Sequence, residues 1–135
     1  MSKIMISQRL KTIFYISLFV IYLHGLEEII GGFQHIDSFM VLGADFFKTS
    51  TEVFYWSSHI IWWLAVPLLY LIFRNRTQIF LLLGIYGLVF AIELHHVVKA
   101  VQSGYYYPGA ITAFFYPVIG FFFYKELLKN WKNHV

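Results

Sequence analysis

Four long apolar runs alternate with short polar segments along the 135-residue chain. Each run has about the 20 residues that an α-helix needs to cross the hydrocarbon core of a bilayer. Glycine-containing or polar segments separate the runs, as is typical of turns and helix caps. The pattern predicts an all-α, polytopic membrane four-helix bundle. We expect this bundle to form a single transmembrane domain, residues 1–135, with helices at approximately 12–31, 53–73, 77–98 and 108–128.

The segment between the first two predicted helices, residues 32–52, is long for a connection between helices and carries a stripe of apolar side chains. We expect an outer loop here. A short amphipathic helix lying on the membrane would bury the stripe. Such a helix could act as a lid over the bundle, although anchoring to the membrane explains the pattern more simply.

Composition and charge support a lipid environment and predict an orientation. The chain is 59% hydrophobic and only 13% charged, whereas about a quarter of the residues of soluble domains are charged. Cytoplasmic segments of membrane proteins are enriched in Lys and Arg, so we expect a multi-pass cell-membrane protein with both termini cytoplasmic. The net charge is +3, but the basic residues do not form a patch along the sequence, so nucleic-acid binding is not predicted. The cytoplasmic set is Lys3, Arg9, Lys11, Arg74, Arg76, Lys125, Lys129 and Lys132, against Lys48 and Lys99 outside.

Several ionisable residues lie within the predicted helices, where such side chains are costly and mark functional sites by default. Each unpaired carboxylate at mid-membrane would cost roughly 2.5–3.5 kcal/mol. These groups must therefore be paired, protonated or bound to a metal ion. They are His24, Glu27, Glu28, His59, Glu93, His95 and His96.

Helical geometry predicts that these residues meet near the outer side of the bilayer. A rise of about 1.5 Å per residue places them roughly 3–10 Å below the outer ends of their helices. His24, Glu27 and Glu28 stand at i, i+3 and i+4 and so share one helical face. Glu93 and His96 share a face in the same way. The alternative for both groups is a hydrogen-bonded polar knot that only fixes helix packing.

The other candidates have simpler alternative explanations. His59 and His95 could each donate to a backbone carbonyl, and His95 points about 100° away from its neighbour on the helix. Glu52 closes a capping box for the second helix. Thr112 would most simply bond to the preceding helical turn. His35 and His134 lie in a loop and in the tail, and no role is predicted for them.

The chain contains no Cys, so any metal must bind to nitrogen and oxygen ligands, which suits zinc, iron or manganese. Three carboxylates would be balanced by two divalent ions and a bridging hydroxide, so we expect a dinuclear site. The expected ligands are all seven ionisable residues. Di-iron carboxylate bundles use Glu-x-x-His motifs. Only Glu93–His96 matches that order here, because the first helix has the reverse order and the fourth offers no carboxylate.

The string HGLEE, His24–Glu28, resembles the motif of the HXXEE-domain family of small integral membrane proteins. The segments ELHH, Glu93–His96, and YPGAITA, Tyr107–Ala113, also resemble that family. The resemblance spans most of the chain. It implies a membrane fold and a site at these motifs, and it implies no substrate.

These observations favour a metal-dependent, membrane-embedded enzyme, a hydrolase or an oxygen-activating oxidoreductase, with a lipophilic substrate. Glu27 or Glu28 would be the general base, with the other as a ligand. A proton- or metal-linked carrier of small solutes and a non-catalytic membrane scaffold are the alternatives. The mostly apolar inner halves of the first and third helices disfavour a through-path. No nucleotide-binding glycine motif or serine nucleophile elbow is present, so no cofactor beyond the metal is predicted. The oligomeric state stays open.

Overall fold

The computed structural model describes residues 6–132, which are helical without any β-strand in that range. Three helical stretches, Gln8–Gly31, Thr51–Ile72 and Arg76–Ser103, are long and apolar enough to cross a membrane. The chain is therefore compatible with a membrane protein. Lys3 and His134 lie outside the described residues. In chain order the helices are α1 (Gln8–Gly31), α2 (Phe33–Ile36), α3 (Ser38–Phe47), α4 (Thr51–Ile60), a π-helical segment (Ile61–Ala65), α5 (Val66–Ile72), α6 (Arg76–Gly87), α7 (Val89–Ile92), α8 (His95–Ser103), α9 (Ala110–Ala113) and α10 (Tyr116–Lys132).

Helix α1 is bounded by clear capping signals. It begins four residues before the predicted start, because the side chain of Ser7 accepts a hydrogen bond from the backbone N–H of Leu10. Its C-terminal cap is Gly32, which adopts a left-handed conformation with φ 70° and donates its N–H to backbone carbonyls of the last helical turn. Glycine favours this conformation because it has no Cβ. These two caps fix the face of α1 that carries His24 and Glu28.

The third and fourth predicted helices are interrupted. The third extends to Ser103 but contains a turn at Glu93 and the next residue, where two backbone bonds span only three residues. The fourth is divided into α9 and α10, which differs from the continuous helix predicted at 108–128. Pro117 explains the division, because it has no N–H to bond to the carbonyl of Ala113.

The connection of residues 32–52, which we expect to be an outer loop, is largely helical. It contains α2 and α3, and the side chain of Asp37 between them caps α3. Phe33 and Met40 point inward and pack with Tyr55 of α4. Other apolar side chains, including Phe39, are exposed. The expected amphipathic segment is thus present, and a lid function stays a prediction.

The core lies between α1, the third long stretch and α10. Helix α10 packs against α1, α6 and α7. The second long stretch, Thr51–Ile72, lies at the periphery, because only 11% of its apolar part is buried. The core side chains include Leu10, Phe14, Leu18, Leu83, Tyr86, Phe90, Tyr116 and Phe123.

Polar contacts tie the start and end of the described chain together, far along α1 from His24. The Nε atom of Arg9 lies 3.2 Å from Oε1 of Glu126, which is buried. The backbone N–H of Ser7 donates to Asn130 Oδ1 over 2.7 Å. Arg76, the first residue of α6, donates to a backbone carbonyl of α10 over 3.0 Å. One end of the molecule therefore gathers the beginning of α1, the beginning of α6 and the end of α10.

Candidate metal centre

Two histidines and two glutamates converge from α1 and the third long stretch. His24, Glu28, Glu93 and His96 each offer one ligand atom, and these four atoms lie within 4.8 Å of one another. Nε2 of His24 is 3.6 Å from Glu28 Oε1 and 3.3 Å from Glu93 Oε2. Nε2 of His96 is 3.1 Å and 3.0 Å from the same two oxygens. A tetrahedral ion with bonds of about 2.0–2.1 Å separates its ligands by about 3.3 Å, so the cluster could hold a metal ion.

The four ligand candidates differ in their access to solvent or lipid. His24, Glu28 and His96 are 4%, 2% and 0% exposed. The side chain of Glu93 is 23% exposed, since it lies where the third stretch turns. Three members are therefore buried, while the side chain of the fourth is partly exposed.

The ring nitrogen of His96 that points away from the cluster, Nδ1, is hydrogen-bonded to the backbone. Nδ1 lies within hydrogen-bond distance of the carbonyl oxygen of Pro108. A carbonyl oxygen only accepts, so Nδ1 carries the hydrogen and donates it. In the neutral ring, the lone pair of Nε2 then faces Glu28 and Glu93. Metal-binding histidines almost always hold their second nitrogen in this way.

His24 is oriented by a hydrogen-bonded chain through Thr112. The Thr112 hydroxyl donates to Oε2 of Glu27 over 2.6 Å. Oγ1 of Thr112 also lies 2.8 Å from Nδ1 of His24. Because the hydroxyl hydrogen is donated to Glu27, Oγ1 accepts a hydrogen bond from this nitrogen. Nε2 of His24 is thereby left facing the cluster, as in His96. Thr112 Oγ1 also lies 3.2 Å from the carbonyl oxygen of Gly109, the contact with the preceding turn that its sequence position predicts, but this carbonyl competes with Glu27 for the one hydroxyl hydrogen.

Glu27 lies outside the cluster of four. Its carboxylate accepts hydrogen bonds from the backbone N–H groups of Ile111 at 3.0 Å and Thr112 at 2.9 Å, in the first turn of α9. It also accepts from the hydroxyl of Tyr106 at 2.9 Å. Burial and this carboxylate raise the pKa of Tyr106 to about 12. Glu27 thus caps α9 and acts on the cluster only through Thr112.

His59 contacts the cluster from the second long stretch. Its Nδ1 donates to the carbonyl of Tyr55 over 2.9 Å, and its Nε2 lies 2.8 Å from Oε2 of Glu28. The Tyr55 hydroxyl donates to the same oxygen over 3.1 Å. The backbone bond expected from the sequence and the contact with Glu28 are therefore both present. Oε2 of Glu28 is thus bound by side chains of α4, while Oε1 faces His24 and His96.

His95 belongs to a neighbouring polar group centred on Asp37. Nε2 of His95 lies 3.9 Å from Asp37 Oδ2, and this histidine is not among the four converging residues. Asp37 is 1% exposed and accepts the hydroxyl of Tyr107 over 2.6 Å. Burial and this carboxylate raise the pKa of Tyr107. No local residue pattern predicts this pairing of Asp37, although an Asp just before an amphipathic segment is a helix-cap signal.

The other two candidates form a surface pair away from the cluster. Nε2 of His35 lies 3.8 Å from Oε1 of Glu52, and their side chains are 54% and 63% exposed. The capping signal before α4 is confirmed in part, because the hydroxyl of Ser50 accepts from the backbone N–H of Val53 over 3.2 Å. Glu52 therefore has no contact with the metal candidates.

A cavity of about 260 Å³ adjoins the cluster on the side of Glu93. Its polar wall includes His24, Glu28 and Glu93. Its apolar wall includes Trp62 of the π-helical segment and Ile92 of α7, which are 39% and 60% exposed. The arrangement places a candidate metal site at the bottom of a mostly apolar cavity that reaches the lateral surface.

The resemblance of His24–Glu28 to the HXXEE motif stays a prediction, because the comparisons neither support nor contradict it. No protein-family model matches the chain, and no curated protein or solved structure is significantly similar to it.

Proposed function

We propose that this chain is a metal-dependent, membrane-embedded enzyme that acts on a lipophilic substrate. The observation that carries the proposal is the convergence of His24, Glu28, Glu93 and His96 at the end of an apolar cavity. The orientation of both imidazoles by partners on their outer nitrogens supports it further. A cavity of this kind with few convergent polar groups is typical of a small-molecule site.

The proposed stoichiometry is one ion per chain. Two ions were expected because the charge of Glu27 was included in the site. In the structure, the carboxylate of Glu27 is hydrogen-bonded to the backbone of α9 and lies outside the cluster. Glu28 and Glu93 together carry two negative charges, which one divalent cation balances. A neutral site is favoured in a medium of low dielectric constant.

Within the cluster we assign different roles to the two glutamates. His24, Glu28 and His96 would hold the ion, because they are the most buried members. Three protein ligands with one open position are typical of catalytic metal sites. Glu93 would be the general base, since it has the most exposed side chain of the four. The general base was expected from the sequence to be Glu27 or Glu28.

The identity of the metal determines the reaction class. Two histidines and one carboxylate are found in zinc hydrolases and in non-haem iron oxygenases alike. Zinc would supply activated water for hydrolysis, whereas iron would supply oxygen chemistry. Glu93 would accept a proton in the hydrolytic case.

The proposed topology is a multi-pass bundle in the cell membrane with both termini in the cytoplasm. Helices α9 and α10 would form a fourth spanning segment beside the three long stretches. The end that gathers Ser7, Arg9 and Arg76 carries basic side chains, which favours its placement on the cytoplasmic side. The metal site would then lie near the outer face.

Packing below the site supports an enzyme over a carrier. The core beneath the cluster is filled by buried aromatic rings, among them Phe14, Tyr86, Phe90 and Phe123. The Phe90 and Phe123 ring centroids are 5.3 Å apart. Among residues 6–132, this packing of aromatic side chains disfavours a path for an ion or solute through this half of the molecule.

Metal content and turnover together test the proposal. Detergent-purified protein, loaded with zinc, iron or manganese, is analysed by plasma mass spectrometry, and hydrolysis or oxidation of a panel of lipid substrates is followed. We expect about one equivalent in the wild type and in Glu52→Gln, a matched exposed control. Glu28→Gln should lose the metal, whereas Glu93→Gln should retain it and lose turnover by roughly 10²–10⁴-fold. Well-folded wild type that retains none of the three metals would overturn the proposal and leave a structural polar knot.

A further inference from the structure

The two oxygens of the Glu28 carboxylate have different surroundings. Oε1 lies 3.6 Å from Nε2 of His24 and 3.1 Å from Nε2 of His96. Oε2 lies 3.1 Å from the hydroxyl of Tyr55 and 2.8 Å from Nε2 of His59. The first two neighbours are candidate metal ligands, whereas the other two belong to α4. Oε1 therefore faces the candidate metal site, and Oε2 is bound to the helix beside it.

The hydroxyl of Tyr55 is directed at Glu28. Tyr55 is 0% exposed, so its hydroxyl depends on protein groups for a partner. The carbonyl oxygen of Gly25 also lies 3.4 Å away, but the carboxylate oxygen is closer and is charged, which makes it the stronger acceptor. The single hydrogen of the hydroxyl is therefore donated to Oε2.

His59 occupies the other side of the same contact and is held in place by α4. Its Nδ1 is bonded to the backbone carbonyl of Tyr55 at 2.9 Å, one helical turn earlier. The two rings also pack together, with their centroids 3.9 Å apart. A carboxylate oxygen offers two lone pairs, and Oε2 of Glu28 has two close neighbours for them, Tyr55 and His59. Oε2 is thus already engaged, whereas Oε1 is directed at the candidate ligands.

The number of oxygens that Glu28 gives to an ion determines whether one coordination position stays open. Nε2 of His24, Nε2 of His96 and Oε1 of Glu28 make three ligand atoms. The fourth position of a tetrahedral ion is then free for water or substrate, as in catalytic sites. If Oε2 also bound, four protein atoms would surround the ion, as in structural sites. The groups that hold Oε2 therefore favour an open site over a closed one.

We propose that Tyr55 and His59 are positioning residues that restrict Glu28 to binding the ion through Oε1 alone. This inference rests on the proposed function and explains how its ion keeps an open position. Both residues act through Glu28, since their contacts are with its other oxygen. Hydrogen-bonded partners of this kind orient the carboxylates that bind metals.

The infrared spectrum of the carboxylate tests this assignment. Its asymmetric and symmetric stretches lie farther apart when one oxygen binds an ion than when both oxygens bind the same ion. Zinc-loaded minus metal-free difference spectra are recorded in a Glu93→Gln background, where Glu28 is the one carboxylate left in the cluster of four. We expect a wide separation in this background and a narrower one after Tyr55→Phe, because the released Oε2 joins the ion. Tyr86→Phe is the matched control, since it removes another buried hydroxyl, bonded to Ser17 at 2.7 Å, and should leave the separation unchanged.

His59→Ala is a second variant that releases the same oxygen. The side chain of His59 is 17% exposed, so its removal disturbs the core less than a change at Tyr55. This variant should also narrow the separation and should keep about one equivalent of zinc, measured by plasma mass spectrometry. Loss of zinc in His59→Ala would show that His59 is itself a ligand and would overturn the inference. A narrow separation with both residues in place, or an unchanged separation in both variants, would overturn it as well.

Azide binding measures the open position independently. Cobalt-loaded protein with Glu93 intact is titrated with azide, which binds vacant metal positions, and the visible absorption of the cobalt ion is followed. Tyr55→Phe should bind azide roughly tenfold more weakly than the wild type, as loss of a hydrogen bond to a charged group allows. Tyr86→Phe should bind it as the wild type does, and equal azide affinity in Tyr55→Phe would refute the inference. A wild type that binds no metal would refute the proposed function and this inference together, whereas bound metal with the same spectra in every variant would refute this inference alone.

Discussion

The hydroxyl of Tyr22 in α1 donates to the carbonyl oxygen of Trp63 across a distance of 2.7 Å. Trp63 lies in the π-helical segment, four residues before Pro67. Because proline has no N–H, this carbonyl lacks its usual α-helical donor. Membrane bundles tolerate a proline within a helix when a neighbouring group pairs with the freed carbonyl, and Tyr22 is that neighbour. The bond joins α1 to the peripheral second stretch at its irregular turn.

Removing this hydroxyl should destabilise the protein through the unpaired carbonyl. We expect Tyr22→Phe to lower the free energy of unfolding by about 1–3 kcal/mol, measured by denaturant unfolding in mixed micelles. The cost should shrink in a Pro67→Ala background, where a backbone N–H is available to the same carbonyl. Tyr15→Phe, at a 54% exposed position, serves as the control and should have little effect. Equal costs of Tyr22→Phe in both backgrounds would contradict this explanation.

The hydroxyl of Thr112 should control metal affinity without binding metal. Thr112→Val keeps the shape of the side chain and removes the acceptor for Nδ1 of His24. We expect a 10- to 100-fold loss of metal affinity, the usual effect of removing a partner of a metal-binding histidine. Competition with a chelating dye measures this change. Thr112→Ser retains the hydroxyl and should bind nearly as well as the wild type, and wild-type affinity in Thr112→Val would refute the role.

Helical periodicity predicted much of the candidate site. The spacing of His24 and Glu28, and of Glu93 and His96, places each pair on one face, and the structure brings the two pairs together. Periodicity could not separate Glu27 from Glu28, because they stand at i+3 and i+4 from His24 and both positions share its helical face. The separation depends on the backbone N–H groups of α9, which are brought to Glu27 by tertiary packing.

Other features depended on contacts that no local pattern encodes. Tyr55 lies in an apolar run like any core aromatic residue, and its hydrogen bond to Glu28 is visible only in the packed structure. Asp37 carries a local capping signal, but its bond to Tyr107 joins residues that are 70 positions apart. The all-helical class followed directly from the apolar runs, whereas the division of the fourth helix depends on the missing N–H of Pro117 within one apolar run.

Asp37 should control the order of helix α3. Its carboxylate accepts the backbone N–H groups of Phe39 and Met40 at 2.8 and 3.2 Å, in the first turn of α3. Loss of such a cap costs about 0.5–2 kcal/mol, so Asp37→Ala should speed amide hydrogen exchange in α3. Asp37→Asn keeps a capping oxygen and should exchange nearly as slowly as the wild type. Unchanged exchange in Asp37→Ala would show that α3 is held by other contacts.

Gly109 lies where the backbone passes closest to both histidine rings. It adopts a left-handed conformation with φ 87°, in the turn before α9. A Cβ at this position would lie 2.6 Å from Nδ1 of His96 and 2.7 Å from Cε1 of His24. Both rings have outer nitrogens bound to this same segment, to Pro108 and to Thr112, so neither can move away without losing its partner.

Gly109→Ala should therefore disrupt metal binding far more than its backbone strain predicts. Gly104 is a matched control, because it has φ 71° and no atom within 4 Å of a Cβ built on it. Each Ala substitution costs about 1–2 kcal/mol for a left-handed residue, but only Gly109→Ala also displaces His24 and His96. We expect metal affinity to fall at least tenfold in Gly109→Ala, as loss of a histidine's partner produces, and to be nearly unchanged in Gly104→Ala. Similar affinities in the two variants, measured by dye competition at equal Tm loss, would show that the two histidines do not bind the metal.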